Sequence, residues 1–295
     1  MTFFRKALLG TIGMGMLAGC SMTSEPYSIP MSNLQPKTFT FKKLNGEGVE
    51  SISESAALRA VNEYIESNSA YKNCKTGLFG GSNCSDGNSS SIINEWGSSV
   101  SNRDNQFVLT YFKTGTYSTG RVDRAEVKQN FPYKLTETAS TISIELSPNT
   151  QANVLPTSSA LGIPFKVGIS DENVVAWTNR LFTSTSLASI DERARIRGEF
   201  NVDLEPDSVK ANFIREHDFR FTDKNNGVES ETSTRWRING SVVDVYMTIS
   251  LYRGKTKVQY SISHPYYLES DGSVKNYNEE ANTEALELIK KAANA

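Results

Sequence analysis

An Asn-Gly pair between two stretches of alternating apolar and polar residues restricts the possible folds of this chain more than any other feature. Asn239 and Gly240 separate residues 232–238 from residues 242–252. Asn-Gly is a preferred pair for a two-residue hairpin turn, because both of its residues adopt positive φ readily. In the second stretch one face carries Val243, Val245, Met247, Ile249 and Leu251, and the other carries Asp244, Thr248 and Ser250. This alternation is typical of antiparallel strands with one buried and one solvated face.

Other segments with a two-residue or a helical period predict an α+β fold. Strands are predicted at 37–43, 106–113, 120–128, 141–146, 193–204, 218–222, 232–238, 242–252 and 255–263. Helices are predicted at 52–67, at 171–181 and at 278–293. Another short helix is predicted to begin with Pro206 in its first position. Such an order predicts antiparallel sheets with helices packed on one face. In the second half we expect the sheet to curl around the last helix in a helix-grip arrangement.

The first twenty residues have the parts of an export signal. Two basic residues precede an apolar run at 7–17, and this run is shorter than the roughly 20 residues that a membrane-spanning helix needs. The run ends in Leu17, Ala18, Gly19 and Cys20, a sequence that resembles the lipobox of bacterial lipoproteins. The alternative interpretation is an ordinary buried cysteine after an apolar helix.

The lipobox resemblance implies cleavage before Cys20 and attachment of a diacylglyceryl group to its thiol, usually with acylation of the new amino group. One acyl chain binds a membrane marginally, whereas several bind stably. Ser21 stands where an aspartate would favour the inner membrane. The resemblance therefore implies a lipid-anchored protein of the outer membrane, with its body facing the periplasm or the cell surface.

Proline-containing polar stretches divide the rest of the chain. Residues 1–19 are the signal peptide, and residues 20–36, with three prolines, are predicted to be a lipidated polar tether. A second stretch of this kind, at 148–164, is predicted to be a linker. It separates an N-terminal α+β domain at 37–147 from a C-terminal α+β domain at 165–295.

Cys74 and Cys84 are the cysteines that remain after lipidation of Cys20. An even pair in an exported chain predicts a disulfide, which would close part of the glycine- and serine-rich loop at 73–91. The alternative is a redox or metal site, which would favour a CxxC spacing or nearby histidines. The sequence has neither in this region, so no metal and no cofactor are predicted.

Charge and motifs argue against nucleic acid and against familiar catalytic sites. The net charge is −2, and removal of a leader that contains Arg5 and Lys6 makes it −4, whereas nucleic-acid binding needs concentrated positive charge. His217 and His264 are predicted to be structural, with a pair between His217 and a neighbouring carboxylate as the alternative. Residues 115–121 lack the lysine of a phosphate-binding loop and are predicted to form a hairpin turn. No catalytic residue is assigned, and an enzyme is disfavoured.

Arginines on strands are the strongest positive indication of a binding surface. They occupy alternate positions on two predicted strands: Arg193, Arg195 and Arg197 on one, and Arg235 and Arg237 on the other. Arginine binds phosphate and carboxylate groups in a bidentate manner, so this surface would suit lipid headgroups, cell-wall carboxylates or an acidic protein. The alternative is cross-strand pairing with Glu199, Asp203 or Glu231.

Two tyrosines, Tyr266 and Tyr267, follow Pro265 and are interpreted either as an aromatic loop that contacts a partner or as a cap on the core.

The sequence leads to three hypotheses of function. The first is a non-enzymatic assembly or accessory subunit of an outer-membrane complex, bound to another envelope protein. The second is a lipid- or glycan-binding carrier with an apolar pocket lined by the face of residues 243–251, which a fully packed sheet–helix interface would exclude. The third is a cell-wall hydrolase with two carboxylates within roughly 10 Å.

Overall fold

The computed structural model of this chain describes residues 27–31, 33–44, 49–50, 52–68, 74–77, 82–83, 92–116, 122–155, 157–158, 164–165, 171–225 and 228–295. The predicted signal peptide, Cys20, Cys84 and most of the predicted turn at 115–121 lie outside these residues. The lipid anchor and the disulfide therefore stay predictions.

The described elements follow one another along the chain as eighteen strands and four helices. They are β1 (Tyr27–Pro30), β2 (Lys37–Lys42), β3 (Val49–Glu50), α1 (Glu54–Asn68), β4 (Cys74–Gly77), β5 (Ser82–Asn83), β6 (Ile92–Arg103), β7 (Gln106–Thr116), β8 (Val122–Glu137), β9 (Thr141–Leu146), β10 (Gln151–Leu155), β11 (Thr157–Ser158), β12 (Pro164–Phe165), α2 (Asp171–Thr183), β13 (Ser189–Val202), α3 (Pro206–His217), β14 (Thr222–Lys224), β15 (Glu229–Ile238), β16 (Ser241–Tyr252), β17 (Lys255–Glu269), β18 (Val274–Lys275) and α4 (Glu279–Ala293).

These elements form two compact units, each assembled from three separate stretches of chain. The first unit comprises the described parts of 1–36, 68–132 and 147–184, and the second comprises those of 37–67, 133–146 and 185–295. This division differs from the predicted boundary at 148–164. The difference arises because strands that are distant in sequence pair with one another, which local patterns do not reveal.

The first unit contains an antiparallel sheet in the order β1-β10-β8-β7-β6-β4-β5. In it β1 pairs with β10, Tyr27 lying opposite Val154 and Pro30 opposite Gln151. These two strands correct the sequence analysis, which assigned residues 27–30 to a tether and residues 151–155 to a linker. The sheet tolerates Pro30 because β1 is an edge strand and Pro30 is its last residue. Helix α2 belongs to the same unit, and its Trp177 ring lies 5.1 Å from that of Tyr111.

The second unit contains a small sheet covered by α1. Strands β2 and β9 pair in register, and the end of β8 pairs with the other side of β9. The inward residues of β2 and β9 are buried, as the alternating pattern predicted. Helix α1 packs its buried residues near them, and the Phe39 and Tyr64 rings meet at 5.1 Å. Ser53 caps α1 by accepting a hydrogen bond from the Ala56 amide, whereas the sequence analysis began the helix at residue 52.

The large sheet of the second unit has the order β14-β15-β16-β17-β13-β3, with β18 on the far end of β17. The Asn239-Gly240 hairpin is confirmed, because these residues join β15 to β16 with φ of 48° and 77°. At the β17–β18 turn, Gly272 has φ of 85°, and a Cβ there would lie 2.0 Å from the Thr40 carbonyl oxygen of β2. Glycine therefore allows this turn to contact the small sheet.

Helices α3 and α4 pack on one face of the large sheet, which confirms the predicted α+β class with antiparallel sheets. The core between them is formed by Val243, Val245, Met247, Ile249, Val258 and Ile262 of the sheet, Val209 and Phe213 of α3, and Ala281, Ala285, Ile289 and Ala292 of α4. Each large side chain buried there contributes about 1.5–3 kcal/mol. Pro206 begins α3, as predicted. Helix α4 has an acidic first turn and a basic last turn, which suits the helix dipole. Leu251 differs from prediction, since it is 51% exposed.

Within the described ranges, no helix combines the length and apolar character needed to cross a membrane.

Candidate functional site: an arginine face and an adjoining cleft

The face of the large sheet opposite α3 and α4 brings the predicted arginines together. Arg235, Asp244, Ser263 and Arg195 lie in one cross-strand row over β15, β16, β17 and β13, and Glu50 of β3 comes next in register. Since neighbouring strands are about 4.8 Å apart, the Cα atoms of Arg195 and Arg235 are roughly 14 Å apart. We call the exposed surface formed by Arg193, Arg195, Arg197, Arg235 and Arg237 the arginine face.

Asp244 lies between two of these guanidinium groups. Its Oδ2 is 2.5 Å from Arg193 Nη1 and its Oδ1 is 2.9 Å from Arg235 Nε. The hydrogen bond from Arg193, reinforced by that from Arg235, lowers the pKa of the Asp244 carboxyl group. Asp244 therefore stays ionised and fixes the two arginines in place.

Cross-strand pairing with carboxylates was the alternative interpretation of these arginines. Arg193 and Arg235 do pair with a carboxylate of another strand, that of Asp244. The predicted partners are wrong, because those carboxylates contact lysines: Glu199 contacts Lys257, Asp203 contacts Lys255 and Glu231 contacts Lys224. Among the described side chains, Arg195 and Arg237 have no ion-pair partner. The rows that contain the five arginines on β15, β16, β17 and β13 hold one carboxylate and no lysine.

Two exposed tyrosines adjoin the arginines. Tyr246 lies opposite Ser261, which in turn lies opposite Arg197, and Tyr267 lies opposite Asp191. Tyr246 is 43% exposed and Tyr267 is 44% exposed. Both side chains are therefore partly exposed, Tyr246 in the row of Arg197 and Tyr267 two residues along β17 from the partner of Arg193.

A cleft opens where β16 and β17 separate. Their ladder ends at Asp244 and Ser263, whereas β17 remains paired with β13 as far as Glu269. Pro265 follows two residues after the end of the ladder, and a proline has no amide hydrogen to donate to a neighbouring strand. The resulting cleft has a volume of about 1090 Å³ and is bounded by the β15–β16 turn, the ends of β13 and β17, and the first turn of α1.

Buried aromatic residues support the floor of this cleft. His264 and Tyr266 line it and are 2% and 3% exposed, and the Tyr277 ring lies 5.8 Å from His264 and 6.1 Å from Tyr266. Burial lowers the pKa of His264 and raises the pKa of Tyr266 to about 12. At neutral pH the imidazole is therefore uncharged and the phenol keeps its proton.

Two carboxylates also line the cleft, Asp191 and Glu192. They are consecutive residues of β13, and consecutive strand residues point to opposite faces. Glu192 is held by an ion pair with Arg59 of α1. The cleft therefore holds two carboxylates, of which that of Glu192 is engaged by Arg59.

The structure resolves three further expectations. Tyr266 and Tyr267 lie in strand β17 rather than in a loop; Tyr266 caps the core, and Tyr267 is the exposed residue. Glu216 contacts Arg215, while the His217 ring packs 5.0 Å from Trp236, and burial lowers the pKa of His217. The apolar face of residues 243–249 is packed against α3 and α4, so the predicted carrier pocket is not formed there.

The sequence pointed to the five arginines but missed Asp244 as the common partner of Arg193 and Arg235, and it missed the cleft. The signal for Asp244 was its position opposite Arg235 across the Asn-Gly hairpin, which fixes the register of that pair. The signal for the cleft was a proline inside an otherwise regular strand. In the described part of the chain, no group of three or more His, Cys, Asp or Glu side chains is placed to hold a metal ion.

Comparisons with known proteins give few matches. No protein-family model and no curated protein matches this chain. A solved structure that it resembles is the crystal structure of DynU16, a protein in the dynemicin biosynthetic locus. The two are 9% identical, the match covers 76% of this chain and 86% of that chain, and the TM-score is 0.18. A TM-score this low does not establish a common fold.

Proposed function

We propose that this chain is a lipid-anchored, non-enzymatic accessory subunit of a bacterial envelope complex, and that the arginine face holds an acidic partner protein. The observation that carries the proposal is the grouping of five exposed arginines in rows that hold one carboxylate, Asp244, on β13, β15, β16 and β17. The described cations exceed the described anions in these rows. The surface therefore attracts carboxylates from outside.

The composition of this surface favours a protein as the partner. Arginine and tyrosine are enriched in protein–protein interfaces and supply many of their binding hot spots, whereas lysine is depleted there. The arginine face matches this pattern, because its rows on β13, β15, β16 and β17 contain five arginines, the exposed Tyr246 and no lysine, and the exposed Tyr267 lies beside them. A surface that served only to attract a negatively charged membrane would have no reason to favour arginine over lysine so strongly.

The ion pairs of Asp244 prepare the surface for binding. Arg193 and Arg235 are held over the sheet before any partner arrives, which reduces the side-chain entropy lost on association. Arg195 and Arg237, without an ion pair among the described side chains, keep their guanidinium groups for bidentate contacts. The proposal therefore assigns orientation to Asp244 and direct contact to Arg195 and Arg237.

Site-specific photo-cross-linking from position 246, in membranes of the source cell, tests the partner. We expect one defined adduct, whose cross-linked peptide is rich in Asp and Glu. Its yield should fall about tenfold in an R235E/R237E variant, because two attractive contacts become repulsive. The matched control is R215E/R220E, which changes the charge equally at two exposed positions outside the face and should leave the adduct unchanged.

The outcome of this experiment decides between acidic protein and other occupants. An adduct that survives R235E/R237E, or that is lost equally in the control, contradicts a charge-specific interface. Cross-links to lipid alone, with no protein adduct, would also contradict the proposal. Thermal unfolding of both double variants checks that each retains the fold.

Anchoring through Cys20 requires a separate test. A Cys20→Ala variant should leave the membrane fraction and appear in the soluble fraction, because the acyl chains have no other attachment site in the lipobox. Cys74→Ala is the matched control and should stay with the membrane. Persistence of Cys20→Ala in the membrane fraction would contradict lipid anchoring.

A further inference from the structure

The cleft between β16 and β17 is balanced in charge, unlike the arginine face beside it. Among its lining residues, Glu192 is neutralised by Arg59, and Arg193 contacts Asp244. Asp191 and Arg195 have no ion-pair partner among the described side chains, and their charges are opposite. A cleft of this kind does not select a small ion of either sign, so its ligand is recognised by hydrogen bonds.

The lining offers hydrogen-bond donors and acceptors together. Ser53 and Ser241 supply hydroxyl groups, Asp191 supplies an acceptor, and Arg195 supplies donors. Ser241 is positioned by a hydrogen bond from Asn278 Nδ2 at 3.1 Å. A ligand hydroxyl group both donates and accepts, so a ligand with many hydroxyl groups matches this mixed lining.

Aromatic rings and size complete the match. Tyr267 lines the cleft and is 44% exposed, and the negative face of an aromatic ring attracts the polarised C–H groups of a sugar ring. Aliphatic side chains are few in the lining, being Ala56, Val242 and Pro265, which disfavours a lipid chain. The volume of about 1090 Å³ is at the upper end of the range of about 300–1000 Å³ in which proteins bind small ligands.

We propose that this cleft binds a short oligosaccharide, with Tyr267 packing on a sugar ring and Asp191, Arg195 and Ser241 contacting its hydroxyl groups. A carboxylated sugar would add a bidentate contact to Arg195. The site goes beyond the protein interface proposed above and does not depend on it. Arg235 and Arg237, which test that interface, do not line the cleft.

The test is isothermal titration of the purified, full-length lipidated protein with two probes, chitotriose as an uncharged trimer and trigalacturonate as a carboxylated one. We expect at least one of them to bind with a Kd of about 1 mM or tighter. Tyr267→Ala should weaken that binding about tenfold. Tyr246→Ala is the matched control, since Tyr246 has the same exposure but lies outside the cleft lining, and it should bind like the parent protein.

Arg195→Ala separates the two sources of the ligand. A loss of trigalacturonate binding alone assigns a carboxylated sugar, and an equal loss for both probes assigns hydroxyl recognition. Asp191→Asn provides a second variant, which should weaken the binding probe without unfolding the protein because Asp191 is exposed. The proposal is overturned if neither trimer binds at millimolar concentrations, or if Tyr267→Ala and Tyr246→Ala weaken binding equally.

Discussion

The two faces of the large sheet are built from alternate residues of the same strands, yet different forces govern them. On the inner face Val243, Val245 and Met247 are at most 1% exposed and pack against α3 and α4. On the outer face Asp244 and Tyr246 lie in sequence between these residues and carry the charge and the exposed ring. Burial of apolar surface holds the inner face, whereas ion pairs screened by solvent organise the outer one.

This contrast separates stability from binding. Deletion of a buried side chain leaves a cavity and costs several kcal/mol, but an exposed ion pair contributes about 0–1 kcal/mol. Changes on the inner face should therefore lower the free energy of unfolding, while changes on the outer face should alter binding with little loss of stability. Four substitutions test this separation, and the largest effect is expected for Phe213→Ala.

Phe213→Ala should be the most destabilising of these changes. Phe213 of α3 is fully buried and its ring meets that of Phe219 at 5.4 Å. Replacement should lower the free energy of unfolding by about 3–5 kcal/mol, through lost burial and a residual cavity. Urea denaturation followed by circular dichroism measures it, with Tyr246→Ala on the outer face as the control, where a change within about 0.5 kcal/mol is expected. Equal losses in the two variants would contradict the separation.

Asn278→Ala tests a polar contact at the edge of the inner face. The Asn278 side chain caps α4 by accepting a hydrogen bond from the Ala281 amide at 3.1 Å. Its loss should lower the free energy of unfolding by about 1 kcal/mol. Asn278→Ser retains a capping oxygen and should recover most of the loss in the same denaturation experiment. No difference between alanine and serine would show that the cap contributes nothing.

The sequence predicted those parts of the second unit in which the spacing of apolar residues alone determines the structure. Residues 141–146 were predicted with their observed bounds, and the alternation in β16 predicted its buried apolar side chains through Ile249. Thr248, which the alternation placed on the solvated face, is buried as well. The prediction failed for Leu251, which is 51% exposed next to the β16–β17 turn, although Thr256 opposite it is buried. At this end of the strand the alternation of apolar and polar residues alone did not predict burial.

Non-local pairing explains what the sequence could not predict. The strand at 27–30 forms because β10 is available beside it, and nothing in residues 27–30 themselves indicates this. The five arginines were found from their spacing in the sequence. They lie on one surface because β13 and β15 belong to the same sheet, with β16 and β17 between them. The cleft forms where the β16–β17 ladder ends while the β13–β17 ladder continues. Each of these facts concerns the order of strands in space.

His264 provides a pH-dependent contrast on the inner face. Its burial lowers its pKa, and its Nδ1 has no hydrogen-bond partner in the described part of the chain. The unfolded state, with a pKa of about 6.5, therefore binds a proton at a pH where the folded state does not. Stability is unaffected above that pKa and falls as the pH drops below it, until the folded pKa is reached.

His264→Phe should make stability less dependent on pH in this window. Unfolding midpoints measured between about pH 5 and pH 7 should fall less in the variant than in the parent protein. His217 has a lowered pKa as well, so a His217→Phe variant defines its separate contribution. A slope that His264→Phe leaves unchanged would show that His264 is protonated equally in both states.

Asp244→Asn should have the smallest effect on stability and a clear effect on the outer face. Its folded-state pKa is lowered by Arg193 and Arg235, so its stabilisation is present above the unfolded value of about 3.9 and is lost as the pH falls through the folded value. At neutral pH we expect a loss of at most about 1 kcal/mol, because both ion pairs are partly exposed. The variant should also lose less stability than the parent protein on acidification below about pH 4.

If Asp244 orients the arginines, cross-linking of the Asp244→Asn variant to the acidic partner should fall even though the net positive charge of the face has increased. An increase in cross-linking would instead show that charge alone, and not the arrangement of the guanidinium groups, determines binding.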